Sequence, residues 1–195
     1  MINKQKIGLF FGSFNPVHNG HLMIANYLIE YTDLESIWFI ISPQNPFKDK
    51  RSLLQDHHRM KLLELSIGDD SRFEICDIEF YMPRPSYTID TLTRLSERHP
   101  NIDFYLICGM DNLQGFKKWK NSDMILEYYH LLVYPRKGCE NSDLLTHPSV
   151  QIVDAPTIEV SSTFIRNAIA EKKDVRYFMP QKAYQYMCDM HFYED

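Results

Sequence analysis

Residues 7–31 read IGLFFGSFNPVHNGHLMIANYLIEY. Ile7 to Phe11 form a short continuous apolar run that ends at Gly12, the pattern of a strand buried on both faces of a parallel sheet. The loop GSFNPVHN follows, with Asn15, Pro16 and Asn19 as turn formers. From about Asn19 to Tyr31 the apolar residues Leu22, Ala25, Leu28 and Ile29 recur at helical spacing, and Ser36 to Ile41 then read as a second strand. Strand, helix and strand in that order make a βαβ unit.

The alternation continues downstream. DHHRMKLLELSI (56–67) reads as a helix before a strand at about Phe73 to Ile75, and the amphipathic stretch Thr88 to Arg98 leads into the strand DFYLIC (103–108). YHLLVY (129–134) and VQIVDA (150–155) read as two more strands. Two last helices are expected at Ser161 to Glu171 and at Pro180 to about Met190, each introduced by a capping or Pro signal. Strands separated by helix-length segments imply an α/β fold with a doubly wound parallel sheet and helices on both faces. With no internal repeat or low-complexity linker, residues 1–195 read as a single domain. The Pro-containing stretches Pro43 to Pro46 and Pro83 to Pro85 fall where strands end and substrates usually bind.

Composition narrows the function classes. Of 195 residues, 44% are hydrophobic and 24% charged, which suits one well-buried core. A formal net charge of −5 argues against sequence-independent nucleic-acid binding, which needs a basic surface, so any phosphate site must be local. No stretch has the length and apolarity of a membrane span, and the N-terminal residues do not read as a signal peptide. The expectation is a cytoplasmic protein with no membrane partner. The four cysteines are far apart, so neither a CxxC pair nor a disulfide framework is indicated, and the eight histidines form no metal cluster in sequence.

His18 and His21 stand three residues apart where a helix begins, on the same side of its first turn. A helix start presents free amides and a positive dipole end, and Gly12 and Gly20 permit close backbone approach. Both imidazoles could donate to phosphate oxygens. The segment is neither a Walker loop nor the GxGxxG fingerprint. At the other end of the chain, VSSTFIRNAI (160–169) starts a helix with Ser161 as its N-cap. Ser162, Thr163 and Arg166 follow in its first turns, with Arg166 on the face of Ser162 at i,i+4. A bare HxxH pair or a Ser/Thr-rich helix start, taken alone, is more often simple capping.

Taken together, strand, glycine, turn, HxGH and helix resemble the signature of the HxGH nucleotidyltransferase superfamily, and SSTFIR resembles the ISSTxIR motif of its adenylyltransferases. SPQNPFK, HHRMKLLELSI, RPSYTIDTL, GMDNLQGFKKWK, YPRKG and VRYFMPQKAYQYM resemble, in order, the bacterial nicotinate mononucleotide adenylyltransferases. The resemblance covers nearly the whole chain. Asn15 departs from the usual GSFDP, Met110 from GAD, and GFKK from a Leu-Pro pair before Trp119.

The resemblance implies a Rossmann-like nucleotidyltransferase fold. It implies an enzyme that transfers AMP from ATP to nicotinate mononucleotide, giving deamido-NAD and pyrophosphate, with Mg²⁺ accompanying ATP. His18, His21 and Arg166 are expected to be catalytic. Gly12, Ser13, Phe14, Lys48, Gly109, Asp111, Arg136, Ser162 and Thr163 are expected around the ATP, and Tyr87, Thr88 and Trp119 around the pyridine. No residue is expected to hold a metal by itself. A homo-oligomer is compatible with the sequence. Trp119, set between Lys118 and Lys120 in a polar, loop-like stretch, reads as a ligand platform. His57, His58 and Arg59 read as the exposed start of a helix with no catalytic role. The competing readings are another transferase of the superfamily, such as pantetheine-phosphate adenylyltransferase, or a nucleotide sensor without catalysis.

Overall fold

The computed structural model of the chain describes residues 4–43, 53–139 and 141–194. The first βαβ unit is built as the apolar pattern dictates: β1 (Gln5–Gly12), α1 (Asn19–Tyr31) and β2 (Ser36–Ile41), with β1 and β2 parallel and Ile7 opposite Ser36. There follow α2 (Asp56–Ile67), β3 (Phe73–Cys76), α3 (Thr88–Arg98) and β4 (Ile102–Gly109). The chain continues through α4 (Met110–Gln114), α5 (Ser122–Tyr128), β5 (His130–Tyr134), β6 (Val150–Ile152), α6 (Ser162–Ala170) and α7 (Gln181–Asp189).

All six strands pair in parallel in the order β3-β2-β1-β4-β5-β6. The strand order reverses between β1 and β4, and in such sheets ligands bind in the crevice at the carboxyl ends of the strands flanking that switch. This is the doubly wound sheet expected from the strand and helix alternation.

Period-two alternation along the strands feeds two cores, one per face of the sheet. Phe10, Ile37, Phe39, Ile41, Ile107 and Leu132 pack with Ile24 and Leu28 of α1, Leu62 and Leu63 of α2, Ile165 of α6, and Met187 of α7. On the opposite face, Ile7, Leu9, Leu106, Leu131 and Val133 pack with Leu92 and Leu95 of α3, Leu113 of α4, and Ile125 of α5. Full burial of each such side chain contributes on the order of 2 kcal/mol relative to exposure. Among the described residues no helix is long and apolar enough to cross a membrane.

Two differences from the sequence reading concern the segment after β4 and the edge of the sheet. Residues 110–128 are not loop-like: α4, a 3₁₀ turn at Phe116–Lys118, and α5 occupy most of it. Each piece is too short to show helical periodicity, and Asn121, left-handed at φ 51°, separates the last two. The sixth strand is shorter than VQIVDA, although Val153 N–H still donates to Val133 O.

Candidate active site

The carboxyl ends of β1 and β4 open into a cleft of about 690 Å³. Its lining joins the β1 loop, the start of α3, the residues after β4, the end of β5 and the start of α6. The topology therefore brings to one place motifs that are nearly the length of the chain apart.

The loop after β1 is held from several sides. Phe14 takes a left-handed backbone (φ 45°) and turns its ring into the core, edge-on to Phe10, Phe39 and His21 at centroid separations of 6.0, 5.5 and 5.1 Å. A non-glycine residue in that region is strained, and here the buried ring holds it there. Asn15 is buried, and its Oδ1 accepts from Leu54 N (3.1 Å) and from the Tyr193 hydroxyl (2.7 Å). Both bonds need an acceptor oxygen and not a charge, so the amide in place of the customary carboxylate suffices for them.

His18 N–H donates to His21 Nδ1 (3.2 Å), His21 N–H donates to His18 O (2.9 Å), and the two rings stack at 3.7 Å between centroids. With Nδ1 accepting, a neutral His21 carries its hydrogen on Nε2. His18 is 4% exposed, and its Nδ1 is buried without a hydrogen-bond partner among the described residues. Burial, aided by the positive charge of Arg136, pushes the His18 pKa down to about 3, so the ring is neutral at pH 7. Gly20 is required by proximity: a Cβ there would lie 2.9 Å from His18 Nδ1.

The start of α6 closes onto this loop. Ser161 caps the helix by accepting from Phe164 N (3.1 Å), as its position in SSTFIR predicts. Ser162 Oγ donates to Pro16 O (2.8 Å), and Arg166 Nη1 donates to Asn15 O (2.7 Å) while Nη2 reaches Thr163 Oγ1 (3.4 Å). Ser162, Thr163 and Arg166 all line the cleft beside His18 and His21.

Across the cleft, a Cβ at Gly109 would collide with the Asp111 carboxylate and press on Arg136. The Arg136 guanidinium lies 5.2 Å from the Tyr134 ring centre and its Nε is 3.8 Å from Asp111 Oδ1, so it belongs to the cleft. Thr88 opens α3, whose first turn points at the cleft through Tyr87 and Thr88. Trp119 is half-buried on Phe116, ring centres 5.0 Å apart, and packs against the second core while also lining the cleft. Trp119 itself follows the 3₁₀ turn outside any helix, in the loop-like setting expected of it, and its ring is braced on Phe116 of that turn. Lys120 ties this segment to α3, its Nζ 2.8 Å from Asp90 and 4.7 Å from the Tyr87 ring centre. Gly12, Ser13 and Phe14 line the cleft as expected, whereas Lys48 lies outside the described residues.

Two further residues escaped the sequence reading. Arg59 is fully buried: Nη1 donates to Ser13 O (2.7 Å) and Ser42 O (2.8 Å), Nε to Leu54 O (3.1 Å), and Nη2 to Asp56. The expectation of an exposed helix start therefore holds for His57 but not for Arg59, and His58 is half-buried against Tyr186 (2.9 Å). The apolar run of α2 gives no hint that an arginine at its first turn faces inward. Glu79, in the 3₁₀ turn Ile78–Tyr81, is 2% exposed and lines the cleft.

This sheet order with a histidine pair at the β1 switch point defines a Rossmann-like nucleotidyltransferase. The profile of the Cytidylyltransferase-like family matches residues 9–168. The chain is 46% identical over 191 residues to a Cytophaga hutchinsonii protein named "Probable nicotinate-nucleotide adenylyltransferase", covering 98% of this chain and all of that one. A relative of the same name from Azobacteroides pseudotrichonymphae is 51% identical, covering 91% of this chain and 93% of that one. The chain belongs to the nicotinate-nucleotide adenylyltransferase family. Among solved structures, Plasmodium falciparum nicotinic acid mononucleotide adenylyltransferase complexed with NaAD matches at TM-score 0.81 and 19% identity. That match covers 97% of this chain and 98% of the other, and at this identity it shows the shared fold.

Proposed function

We propose that the chain transfers the AMP part of ATP to nicotinate mononucleotide, giving deamido-NAD and pyrophosphate. The observation that carries this reading is the convergence of His18, His21, Ser162, Thr163 and Arg166 on one cleft that also holds the start of α3 and Trp119. One side offers phosphate donors, and the other a helix start beside an aromatic ring, which suits a carboxylate-bearing heterocycle.

An oxygen of the mononucleotide 5′-phosphate attacks the α-phosphorus of ATP. The new P–O–P bond forms as the bond from that phosphorus to the β-phosphate oxygen breaks, and pyrophosphate leaves with the electron pair. The nucleophile is already ionised at neutral pH, so no general base is needed and catalysis consists of positioning and charge neutralisation. His18, neutral and with an unused ring nitrogen, and His21, with hydrogen on Nε2, donate to the phosphate oxygens around the reacting phosphorus. Arg166 and Lys48 neutralise the leaving group. Gly12, Ser13 and Phe14 contribute backbone along the phosphates, Ser162 the amide at the start of α6, Thr163 its hydroxyl, and Gly109, Asp111 and Arg136 the nucleoside side. Trp119 stacks on the pyridine, and the amides at Tyr87 and Thr88 receive its carboxylate.

Among the described residues no three His, Cys, Asp or Glu side chains are grouped to hold a metal ion. Mg²⁺ accompanying ATP would supply further neutralisation of phosphate charge. Four unpaired cysteines suit the reducing cytoplasm.

A pyrophosphate-release assay with ATP and a panel of acceptors tests the reading. Turnover is expected with nicotinate mononucleotide and far less with nicotinamide mononucleotide or phosphopantetheine. Turnover with phosphopantetheine alone would move the chain to another transferase class, and ATP binding without turnover on any acceptor would make it a sensor.

A further inference from the structure

Glu79 is a buried carboxyl group whose pKa burial raises, and among the described residues no cation acts on it. Its Oε2 accepts from Ser86 Oγ at 2.7 Å and its Oε1 from Thr91 Oγ1 at 2.8 Å. Those two hydroxyls come from the turn before α3 and the first turn of α3. Burying a carboxylate is costly, and a residue that only filled space here would be apolar. What a carboxylate offers that no apolar or amide side chain does is two acceptor oxygens and no donor, matched one to one by two O–H donors.

Ser86 and Thr91 flank Tyr87 and Thr88, whose backbone opens α3 toward the cleft. Fixing the two hydroxyls against the 3₁₀ turn Ile78–Tyr81 therefore fixes where the first amides of α3 point. Glu79 itself lines the cleft, so the clamp lies directly behind the surface that the acceptor would meet. We infer that Glu79 is a positioning residue of the acceptor subsite, clamping Ser86 and Thr91 so that the amides at Tyr87 and Thr88 meet the pyridine carboxylate. This rests on the adenylyl-transfer reading above and adds to it the source of the preference for acid over amide. A displacement of about 1 Å in such a subsite can cost on the order of 100-fold in rate.

The test is steady-state kinetics on the full chain carrying Glu79→Gln, Ser86→Ala or both, with ATP, nicotinate mononucleotide and nicotinamide mononucleotide varied in turn. Glu79→Gln should raise KM for nicotinate mononucleotide about tenfold or more while KM for ATP changes less than about twofold. Its ratio of kcat/KM for acid over amide should fall, and Glu79→Asp should recover part of the loss. Ser86→Ala should change the same parameters in the same direction, with the double variant no worse than Glu79→Gln alone. Trp119→Ala provides the contrast, weakening acid and amide together. An unchanged acid-to-amide ratio in Glu79→Gln, or a parallel rise of KM for ATP and the mononucleotide, overturns the inference. If Glu79→Gln does not fold, Ser86→Ala decides alone, and an unchanged ratio there overturns it equally. A wild-type chain that does not use nicotinate mononucleotide would instead bring down the reading of the reaction, and the inference with it.

Discussion

The guanidinium of Arg166 donates to the carbonyl oxygen of Asn15 at 2.7 Å, across 151 positions of sequence. The α6 start and the β1 loop are thereby one unit, and a side chain on the last third of the chain sets the shape of a loop on the first. Arg166→Ala removes both that tie and a cleft-lining positive charge. KM for ATP is expected to rise about 10- to 100-fold, the scale of a lost hydrogen bond to a charged group, with a much smaller change for the mononucleotide. Arg166→Lys should not restore it, because an ammonium lacks the fork that reaches Asn15 O and a phosphate together. Kinetics with each substrate varied in turn check this. A rise confined to the mononucleotide would sink the assignment.

In the proposed reaction His18, buried and with Nδ1 unpartnered among the described residues, would offer the transferring phosphate a donor from a water-poor position. Its replacement by alanine is expected to lower kcat by about 10²- to 10³-fold, as the loss of a transition-state donor does, with the fold retained. Pyrophosphate release measured beside circular dichroism separates lost chemistry from lost fold. His21→Ala should fall in the same range, since each ring positions the other through stacking and the His18 N–H to His21 Nδ1 bond.

The low pKa of His18 makes stability depend on pH with a definite sign. In the unfolded chain the ring takes up a proton near pH 6.5, but in the fold it resists until about 3. Between those values the unfolded state binds more protons, so the fold loses stability as pH falls below 6.5 and stops losing it near 3. Between pH 7.5 and 5 the loss attributable to this group is about 2 kcal/mol. Urea denaturation at the two pH values on the wild type and on His18→Asn, which keeps a good N-cap, should show a smaller loss in the variant by that amount. Equal losses would show that His18 is solvated in the fold.

Arg59 holds the carbonyls of Ser13, Ser42 and Leu54 from a fully buried position and is paired with Asp56. Arg59→Met leaves the three carbonyls without this donor, although Asp56 keeps Arg84 at 2.8 Å, and the expected cost is about 3–5 kcal/mol of unfolding free energy. Arg59→Lys should recover little of it, lacking the planar fork. Denaturant melts at pH 7.5 measure the difference. A cost under about 1 kcal/mol would mean that the carbonyls find other donors.

Much of the architecture is written in local patterns. The unbroken run Ile7 to Phe11 predicts a doubly buried strand because both faces of a parallel sheet are covered, and β1 is that strand. α1, α2 and α3 occupy the predicted residues, α1 and α3 because their apolar positions recur at helical spacing. α4 and α5 were not legible, being too short for periodicity to build up and stabilised by the packing of Leu113 and Ile125 on the sheet.

The chemistry divides in the same way. The helix starts at His18 to His21 and Ser161 to Arg166 were legible because capping depends on neighbours a few residues away, and their link to phosphate chemistry came from the resemblance of the two motifs together to a nucleotidyltransferase signature. The closure of Arg166 on Asn15, the inward arginine at 59, the carboxylate of Glu79 with its two hydroxyls, and the neutrality of His18 were decided only by the tertiary structure. The physical reason is that most of these bonds join distant positions, and a group's charge and burial are set by what the rest of the chain packs around it.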